Sequence, residues 1–298
     1  MMRLGILASA GGWHVEDLER AARGAQIETL CLHFTQLGAR VAPPRFEAGL
    51  CDTSVLTALL VRSMPGGSLE QVIFRMDWLQ RVEASGLLVV NRASALEACI
   101  DKYLSSARLE AAGLELPTTV ACENAATAAR AFDALGGDVV VKPIFGSEGH
   151  GLERISSVAA ARSHFAALEE EGRIFYLQRF VAHPGYDYRV FVLGDRARWC
   201  MKRYAVNDWR TNLACGGRAE AVSPPAELST LAVQAAQCLG AEIAGVDLIV
   251  DTEGHPWLLE VNAVPGWRAL ARVCDVDIAA EVLRYVGDRV STGIGSRE

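Results

Sequence analysis

The sequence contains no apolar run as long as the roughly eighteen residues that a membrane-spanning helix needs. It also lacks an excess of positive charge, since 29 lysines and arginines face 36 aspartates and glutamates, which gives a net charge of −7. A general nucleic-acid binder needs basic surface to neutralise phosphates, so that class is not favoured. The first apolar run is short, stops at Gly11-Gly12 and lacks the cleavage pattern of a signal peptide. We therefore expect a cytoplasmic protein with no membrane and no nucleic-acid partner.

Closely spaced cysteines are missing as well. The eight cysteines are at least 15 positions apart, whereas metal and redox motifs use Cys-x-x-Cys pairs and disulfide frameworks belong to small secreted chains. The glycine loop at 8–12 could approach a ligand, but it matches neither the G-x-G-x-x-G fingerprint nor the Walker loop. We interpret this loop as an ordinary tight turn and most of the cysteines as small core residues.

Length and composition indicate a globular protein of about two domains, because the chain has 298 residues, 51% apolar and 22% charged. Strands alternate with helical stretches over the first third, with helices predicted at 53–62 and 71–85, and this favours a parallel α/β sheet. One helix is predicted over 94–112, before a break at Pro117. The predicted units are an N-terminal α/β domain over 1–93, a second domain over 94–290 and a frayed tail over 291–298.

A hairpin near the C-terminus carries the most informative pattern. Two apolar runs flank the turn-like segment 252–255. If Asp251 pairs with Pro256, Asp247 lies directly opposite Glu260. Opposed side chains have Cβ atoms about 5 Å apart, where like charges destabilise a sheet. The register therefore predicts a positive group between the two acids.

The chemistry of the hairpin favours a metal ion as that group. In the predicted register, Leu258 lies on the face of the acids and Leu259 on the opposite face. The oxygens of Asp247, Glu260 and Asn262 are ligands that suit Mg²⁺ or Mn²⁺, and Mg²⁺ completes its shell with substrate phosphates and water. A solvated sheet face without a metal is the alternative, since a slip in register would separate the acids.

A second group of residues is suited to phosphate. Lys142 ends a valine-rich strand, and Gly146, Gly149 and Gly151 follow it in a segment whose backbone N–H groups could face an anion. Lys102, on the preceding helix, could supply another cation. Each signal is weak alone, because a glycine-rich stretch is more often a mobile turn and a single lysine is usually solvated.

Basic residues are concentrated in one part of this acidic chain. The stretch 179–218 contains eight basic and only three acidic residues. The guanidinium group binds carboxylates and phosphates through two oxygens at once. We therefore favour ligand contacts for Arg189, Arg203 and Arg210.

Taken in order, these motifs resemble the ATP-grasp ligases, and within them the RimK-type glutamate ligases, over residues 94–286. The motifs that carry the resemblance are Asp101-Lys102-Tyr103, Val141-Lys142-Pro143, the segment 146–151, Gln178-Arg179-Phe180, Asp187-Tyr-Arg189, Arg210-Thr-Asn212, Gly216-Gly217, Gly245-Val-Asp247 and Glu260-Val-Asn262-Ala-Val-Pro-Gly266. The resemblance implies an α/β ATP-grasp fold, in which two α+β subdomains sandwich ATP behind a small parallel α/β N-terminal domain. The implied subdomains span about 115–178 and 179–290.

The resemblance also implies roles for individual residues. The nucleotide would be bound by Lys102, Lys142, Gly146, Ser147, Gly149, Gly151, Gln178, Arg179, Phe180, Asp187 and Arg189. The metal would be bound by Asp247, Glu260 and Asn262. The acyl phosphate and the incoming substrate would face Arg203, Arg210 and Asn212. The chain departs from the family at Gln178-Arg179, where an acidic residue is common, and this puts the adenine contacts there in doubt.

The implied reaction is the joining of a carboxylate to an amine, with ATP and Mg²⁺ or Mn²⁺ as cofactors. A substrate carboxylate would attack the γ-phosphoryl group, and an amine would displace phosphate from the acyl phosphate to leave an amide. The branch that adds L-glutamate to tetrahydromethanopterin-type pterins resembles this chain most. The substrates would be small acids and amino acids, and a homodimer or homotetramer is expected. The alternatives are a glutamate ligase acting on a protein or peptide C-terminus, a non-catalytic ATP-binding regulator, and a nucleic-acid partner that uses the stretch 179–218.

Overall fold

The computed structural model describes residues 2–9, 11–146, 151–206, 209–213 and 216–293. Within these ranges the chain forms three main sheets, which follow one another along the sequence, and one small sheet. No helix in the described ranges is long and apolar enough to cross a membrane.

The N-terminal part is built on a parallel sheet. Its elements are β1 (Arg3–Ala8), α1 (Trp13–Ala25), β2 (Glu28–His33), β3 (Leu37–Arg40), β4 (Arg45–Ala48), β5 (Cys51–Asp52), β6 (Ala58–Val61), α2 (Leu69–Ala84) and β7 (Leu88–Val90). The parallel strands have the order β2-β1-β6-β7, while β3, β4 and β5 form the small antiparallel sheet. Leu4 and Ile6 on β1 and Leu59 and Leu60 on β6 are fully buried, as expected of parallel strands that are covered on both faces.

The prediction of a helix at 53–62 is wrong. The segment forms a short 3₁₀ turn, Thr53–Val55, and then the strand β6. A continuous apolar run of this length is compatible with either a buried helix or a strand buried on both faces. Pairing decides for the strand, because Leu59 and Leu60 lie between partners on β1 and β7.

Two helices connect the first sheet to the second, α3 (Ala93–Ile100) and α4 (Lys102–Ala111). The sequence predicted one helix here, and the structure interrupts it at Asp101. The carboxylate of Asp101 accepts hydrogen bonds from the backbone N–H groups of Tyr103 and Leu104. An aspartate favours this N-cap position over a helix interior. The break places Lys102 at the start of its own helix.

The second sheet is antiparallel and carries two helices. Its elements are β8 (Thr119–Cys122), α5 (Ala125–Ala134), β9 (Val139–Lys142), β10 (Glu153–Ile155), α6 (Val158–Glu170) and β11 (Phe175–Arg179), with the strand order β10-β9-β11-β8. A separate core fills the space between helices and sheet, where the ring of Phe165 packs edge-on against Phe132 and Phe175. Lys142 ends the central strand β9, at the edge of this unit.

The third sheet is antiparallel and covered on both faces. Its elements are β12 (Tyr186–Leu193), β13 (Arg196–Tyr204), β14 (Arg218–Val222), α7 (Ala226–Cys238), β15 (Ile243–Val250), β16 (Pro256–Asn262), α8 (Arg268–Cys274) and α9 (Ile278–Ser291), with the strand order β14-β13-β12-β15-β16. Along β12, Val190 packs in the cluster that contains α7, whereas Phe191 packs in the cluster that contains Trp267 and α9. This alternation fixes the register that positions the polar residues of β12 and β15.

Asn91 joins the first sheet to the third. Its side chain is 1% exposed. The amide nitrogen donates to the carbonyls of Ile243 and Ala263, and the amide oxygen accepts from the backbone N–H groups of Glu242 and Ile243. Backbone groups of the third sheet and of the segment after it therefore satisfy both donors and both acceptor positions of the Asn91 amide.

Asn91→Ala should destabilise the protein by about 3 kcal/mol or more, because it leaves several buried backbone groups without partners. Asn124 is the matched control, since its side chain only caps α5 and Asn124→Ala should cost about 1 kcal/mol. Urea unfolding of both variants measures the difference. Equal losses would show that the Asn91 bridge does not hold the junction.

Candidate active site

A cleft between the second and third sheets gathers many of the polar residues singled out in the sequence. The residues of the predicted site that line it are Lys142, Gln178, Arg179, Phe180, Asp187, Arg203, Arg210, Asn212, Asp247 and Glu260. Ser147 and Gly149 lie outside the described residues. Lys102, Gly146, Gly151, Arg189 and Asn262 are described but are not part of the cleft lining.

The hairpin of β15 and β16 places Asp247 opposite Glu260, as the sequence predicted. The predicted pairing of Asp251 with Pro256 is wrong, because Val250 pairs with Pro256 and a bulge between Asp247 and Leu248 absorbs the difference. Bulges of this kind insert one residue and redirect its side chain.

The bulge also changes which leucine faces the cleft. Leu258 lies opposite Leu248, and both are fully buried in the core. Leu259 lines the cleft instead. The predicted faces of Leu258 and Leu259 are therefore exchanged.

Asp247 has two arginine partners. Arg189, directly opposite on β12, donates from Nε and Nη2 to the two carboxylate oxygens of Asp247. Arg203 approaches the same carboxylate, with Nη2 2.9 Å from Oδ2. Burial alone would raise the pKa of Asp247, but the two guanidinium charges outweigh it and hold that pKa below its usual value. The positive charge that the sequence predicted beside Asp247 is thus provided by the side chains of Arg189 and Arg203.

Close packing at Gly245 maintains this arrangement. A Cβ atom on Gly245 would lie 2.9 Å from Cβ of Pro265 and 3.0 Å from Nη1 of Arg189. The absence of a side chain therefore lets Arg189 lie flat beside β15 and reach Asp247.

Arg203 and Asp187 extend the charge network across the third sheet. They lie opposite each other on β13 and β12, and Arg203 donates from Nε and Nη2 to both oxygens of Asp187. Thr211 donates to Asp187 as well, over 2.7 Å. Arg203 is 4% exposed; burial would lower its pKa, but Asp187 and Asp247 outweigh that effect and raise it. Arg203 is consequently a permanent, fixed cation in the cleft wall.

Glu260 differs from Asp247 in its surroundings. No described side chain donates a hydrogen bond or forms an ion pair with its carboxylate, which is half-buried and lines the cleft. Asn262 accepts one hydrogen bond at Oδ1, from the N–H of Val264. The described residues contain no group of three or more His, Cys, Asp or Glu side chains that could hold a metal by themselves. A cation here would therefore need further oxygen ligands from a substrate. Mg²⁺ is commonly bound in this way, by one or two carboxylates together with substrate phosphates and water.

Lys142 brings a buried cation to the same cleft. Lys142 is 8% exposed, and its ammonium donates to the amide oxygen of Gln178 over 2.7 Å. Gln178 in turn donates to Thr119. Lys102 donates to the carbonyl of Gly146 over 2.7 Å, at the start of the glycine segment. Burial lowers the pKa of Lys142 to about 8; the carboxylate of Glu260 opposes this effect and the charge of Lys102 adds to it. Two neighbouring cations, and an acid that no described side chain pairs with, form an environment suited to a polyphosphate with its counterion.

ATP binding should weaken as the pH rises through about 8. In the free protein Lys142 loses its proton near that pH, whereas bound phosphates would keep the ammonium charged. The dissociation constant of ATP should then rise toward about tenfold per pH unit above pH 8. In Gln178→Glu a carboxylate beside Lys142 should move this rise to higher pH. Calorimetric titrations between pH 7.5 and 9.5 measure both profiles, and a flat profile for the unsubstituted protein would contradict the prediction.

The backbone at Arg179 and Phe180 is already hydrogen-bonded. The N–H of Arg179 donates to the carbonyl of Thr118, and the N–H of Phe180 donates to the carbonyl of Asp138. These two N–H groups are therefore not available to a nucleotide base in this conformation. The side chains remain in the cleft, where the guanidinium carbon of Arg154 lies 3.5 Å from the centroid of the Phe180 ring.

Several cleft residues were not found from the sequence. Thr211 and His183 line the cleft, and Arg154 stacks on Phe180 while it pairs with Asp138. Thr211 lies inside the Arg210-Thr-Asn212 motif but was given no role of its own, whereas His183 and Arg154, which lies beside the cleft, belong to no motif. Their positions follow from the pairing of strands and from loops that a single sequence does not place.

Comparison with known proteins agrees with this geometry. The model of the RimK-like ATP-grasp domain matches residues 99–286. The chain is 31% identical to the tetrahydromethanopterin:alpha-L-glutamate ligase of Methanosarcina acetivorans over 81% of this chain and 83% of that protein. It is 33% identical to a probable alpha-L-glutamate ligase of Xanthomonas euvesicatoria, over 73% and 74% of the two chains.

A similarity in structure extends over nearly the whole chain. The ATP-grasp ligase PsnB, solved with a phosphomimetic variant of its minimal precursor, Mg and ADP, superposes with a TM-score of 0.76 at 20% identity and covers 96% of this chain and 98% of its own. The predicted α/β ATP-grasp fold and the prediction of an ATP-dependent ligase are confirmed. The chain belongs to the RimK-like ATP-grasp family of ligases.

Proposed function

We propose that this ligase adds L-glutamate, through an amide bond, to the carboxylate of a small-molecule acid such as a methanopterin-type pterin cofactor. The observation that carries the proposal is the cleft in which buried Lys142 and the carboxylate of Glu260 lie together, with Lys102 close enough to act on the pKa of Lys142. The names of relatives from Methanosarcina acetivorans and Xanthomonas euvesicatoria support L-glutamate as the amino acid.

The residues of the cleft suit each step of such a reaction. The subdomains at about 115–178 and 179–290 would hold ATP between them, with the ammonium groups of Lys102 and Lys142 beside its phosphates. A carboxylate oxygen of the acid attacks the γ-phosphorus, and the bond to the β-phosphate oxygen breaks to release ADP. The amine of glutamate then attacks the acyl carbon, loses a proton and expels phosphate. Arg203 and Arg210, with Asn212, would stabilise the oxyanion of that step.

The acidic hairpin fits a divalent cation in part. Among the described residues, no side chain pairs with the carboxylate of Glu260, and Oδ1 of Asn262 accepts one hydrogen bond, which leaves it a lone pair. Asp247 could join them through Oδ1, which accepts one hydrogen bond from Arg189, whereas Oδ2 already faces Nη2 of both arginines. A bound Mg²⁺ would neutralise phosphate charge and orient the oxygens for transfer. Beside such a cation, the protein itself supplies two fixed positive groups, the guanidinium groups of Arg189 and Arg203 that bind Asp247.

Release of ADP by the purified protein tests this proposal. Mg-ATP and L-glutamate would be supplied with a panel of pterin, small-acid and peptide acceptors, and the product would be identified by mass spectrometry. We expect turnover that depends on one acceptor class and yields an acceptor heavier by one or more glutamates. Binding of ATP without release of ADP under any of these conditions would instead favour a non-catalytic regulator.

A further inference from the structure

The parallel N-terminal sheet has a topological switch point between β1 and β6 that the proposed reaction has not yet used. In the strand order β2-β1-β6-β7, the strand that follows β1 lies on one side of the central pair, and the strand that follows β6 lies on the other side. Open parallel sheets bind ligands at such a switch point, outside the carboxyl ends of the two strands. Here those ends carry Ser9, Arg62 and Ser63, and the hydroxyl of Ser63 accepts from the N–H of Ser9 over 2.7 Å.

Arg62 has an incomplete set of partners. It is 2% exposed, and its Nη2 donates to the carbonyl of Pro265 over 2.6 Å. The guanidinium carbon lies 4.2 Å from the ring centroid of Trp267. Nε and Nη1 are shielded from water and have no acceptor among the described residues. Burial lowers the pKa of Arg62 to about 9, and no acid of the described chain opposes this effect. Stacking on an indole recovers only part of the hydration that a buried guanidinium loses. Asp17 lies nearby, but its carboxylate accepts from Trp267 and Arg20 and not from Arg62, so Arg62 lacks a hydrogen-bonded anion.

The first turn of α1 faces the same position. This helix has 13 residues and begins after Gly12, which supplies no capping side chain, so its first N–H groups favour an anionic partner. His14 lies on that turn beside Trp267, with ring centroids 5.5 Å apart. Burial and the charge of Arg62 lower the pKa of His14 to about 3, so the imidazole is neutral at physiological pH and Arg62 is the cation of this site.

The site adjoins the acidic hairpin. Pro265, whose carbonyl binds Arg62, follows Asn262 by three positions and packs against Gly245, which faces Arg189. An anion held by Arg62 would therefore lie next to the loop that leaves the proposed reaction centre.

We propose that Arg62 and the first turn of α1 bind a carboxylate of a substrate that is not itself activated by ATP. The inference rests on the proposed function, because a glutamate ligase must position a dicarboxylic amino acid and an acidic acceptor. The carboxylate belongs either to the incoming L-glutamate or to a second acid group of the acceptor.

Steady-state kinetics of Arg62→Met and Arg62→Lys test this site. Arg62→Met should raise the KM of one carboxylate substrate by about 30-fold, because a charged hydrogen-bond pair is lost, while ATP affinity stays within about twofold. Arg62→Lys, which keeps the charge, should retain part of the affinity. A rise in the KM of L-glutamate identifies the amino acid as the ligand, and a rise in the KM of the acceptor identifies the acid.

Arg75→Met is the matched control. Arg75 is another buried arginine of the N-terminal part, but its Nη1 has the carbonyls of Pro65 and Gly66 as acceptors, so its loss should leave both KM values unchanged. The proposal is overturned if a folded Arg62→Met keeps all KM values within twofold, or if affinity for ATP falls together with the others. If Arg62→Met does not fold, the same criteria apply to Arg62→Lys.

A direct binding measurement tests this site independently of whether the protein catalyses the proposed reaction. Calorimetric titration with L-glutamate and with glutarate, without ATP, requires no turnover. We expect the unsubstituted protein to bind at least one of these dicarboxylates about tenfold or more tightly than the Arg62 variant does. Absence of turnover with intact dicarboxylate binding would contradict the proposed function alone, whereas absence of any binding would contradict the site.

Discussion

Replacement of Glu260 with glutamine should lower ADP release by about a hundredfold or more at saturating Mg²⁺, because the amide keeps the shape of the side chain but loses the charge that a metal needs. Glu260 lines the cleft, and its carboxylate forms no hydrogen bond or ion pair with a described side chain. The loss should be measured as initial rates over a range of Mg²⁺ concentrations.

Glu253→Gln is the control for this prediction. Glu253 is an exposed acid in the turn of the same hairpin, so its substitution removes the same charge without touching the cleft, and the rate should stay within about twofold. A Glu260→Gln protein that works at more than about a fifth of the normal rate would contradict the metal role of the hairpin.

Asp187→Asn should destabilise the protein by about 3 to 5 kcal/mol, since it leaves the buried charge of Arg203 with one partner fewer. Both side chains of this pair are at most 5% exposed. The free energy of unfolding in urea measures the effect. Removal of both charges, in Asp187→Asn with Arg203→Met, should cost less than the sum of the single substitutions, because the uncompensated guanidinium is then gone.

Asp138 provides a matched comparison for that prediction. It also binds an arginine through both oxygens, but Arg154 and Asp138 are 35% and 36% exposed, and pairs at the surface contribute only about 0 to 1 kcal/mol. Asp138→Asn should therefore be much milder than Asp187→Asn. Equal losses would show that burial of the charge network does not determine its contribution.

Features that depend on a single hairpin could be predicted from the sequence. The pairing of Asp247 with Glu260 follows from two apolar runs around a short turn, and it holds in the structure. The bulge beside Asp247 could not be predicted, because no glycine or other local signal marks it. Its consequence, that Leu259 rather than Leu258 faces the cleft, was therefore missed.

Features that depend on pairing between strands distant in the chain could not be predicted from the sequence. Arg189 and Arg203 were expected to contact ligands, and the structure gives both of them acidic partners on neighbouring strands. A single chain shows which strands have a basic residue, but not which acid lies opposite. The strand at 58–61 was missed for the same reason, since its identity depends on partners in β1 and β7.

The acyl-phosphate route is the central claim, and isotope transfer tests it most directly. The acceptor that supports turnover would be labelled with ¹⁸O in its reacting carboxylate, and the products analysed by mass spectrometry. The account predicts one ¹⁸O atom in the released phosphate for each amide formed, because a carboxylate oxygen attacks the γ-phosphorus and leaves with it. Label in AMP, or none in phosphate, would contradict it.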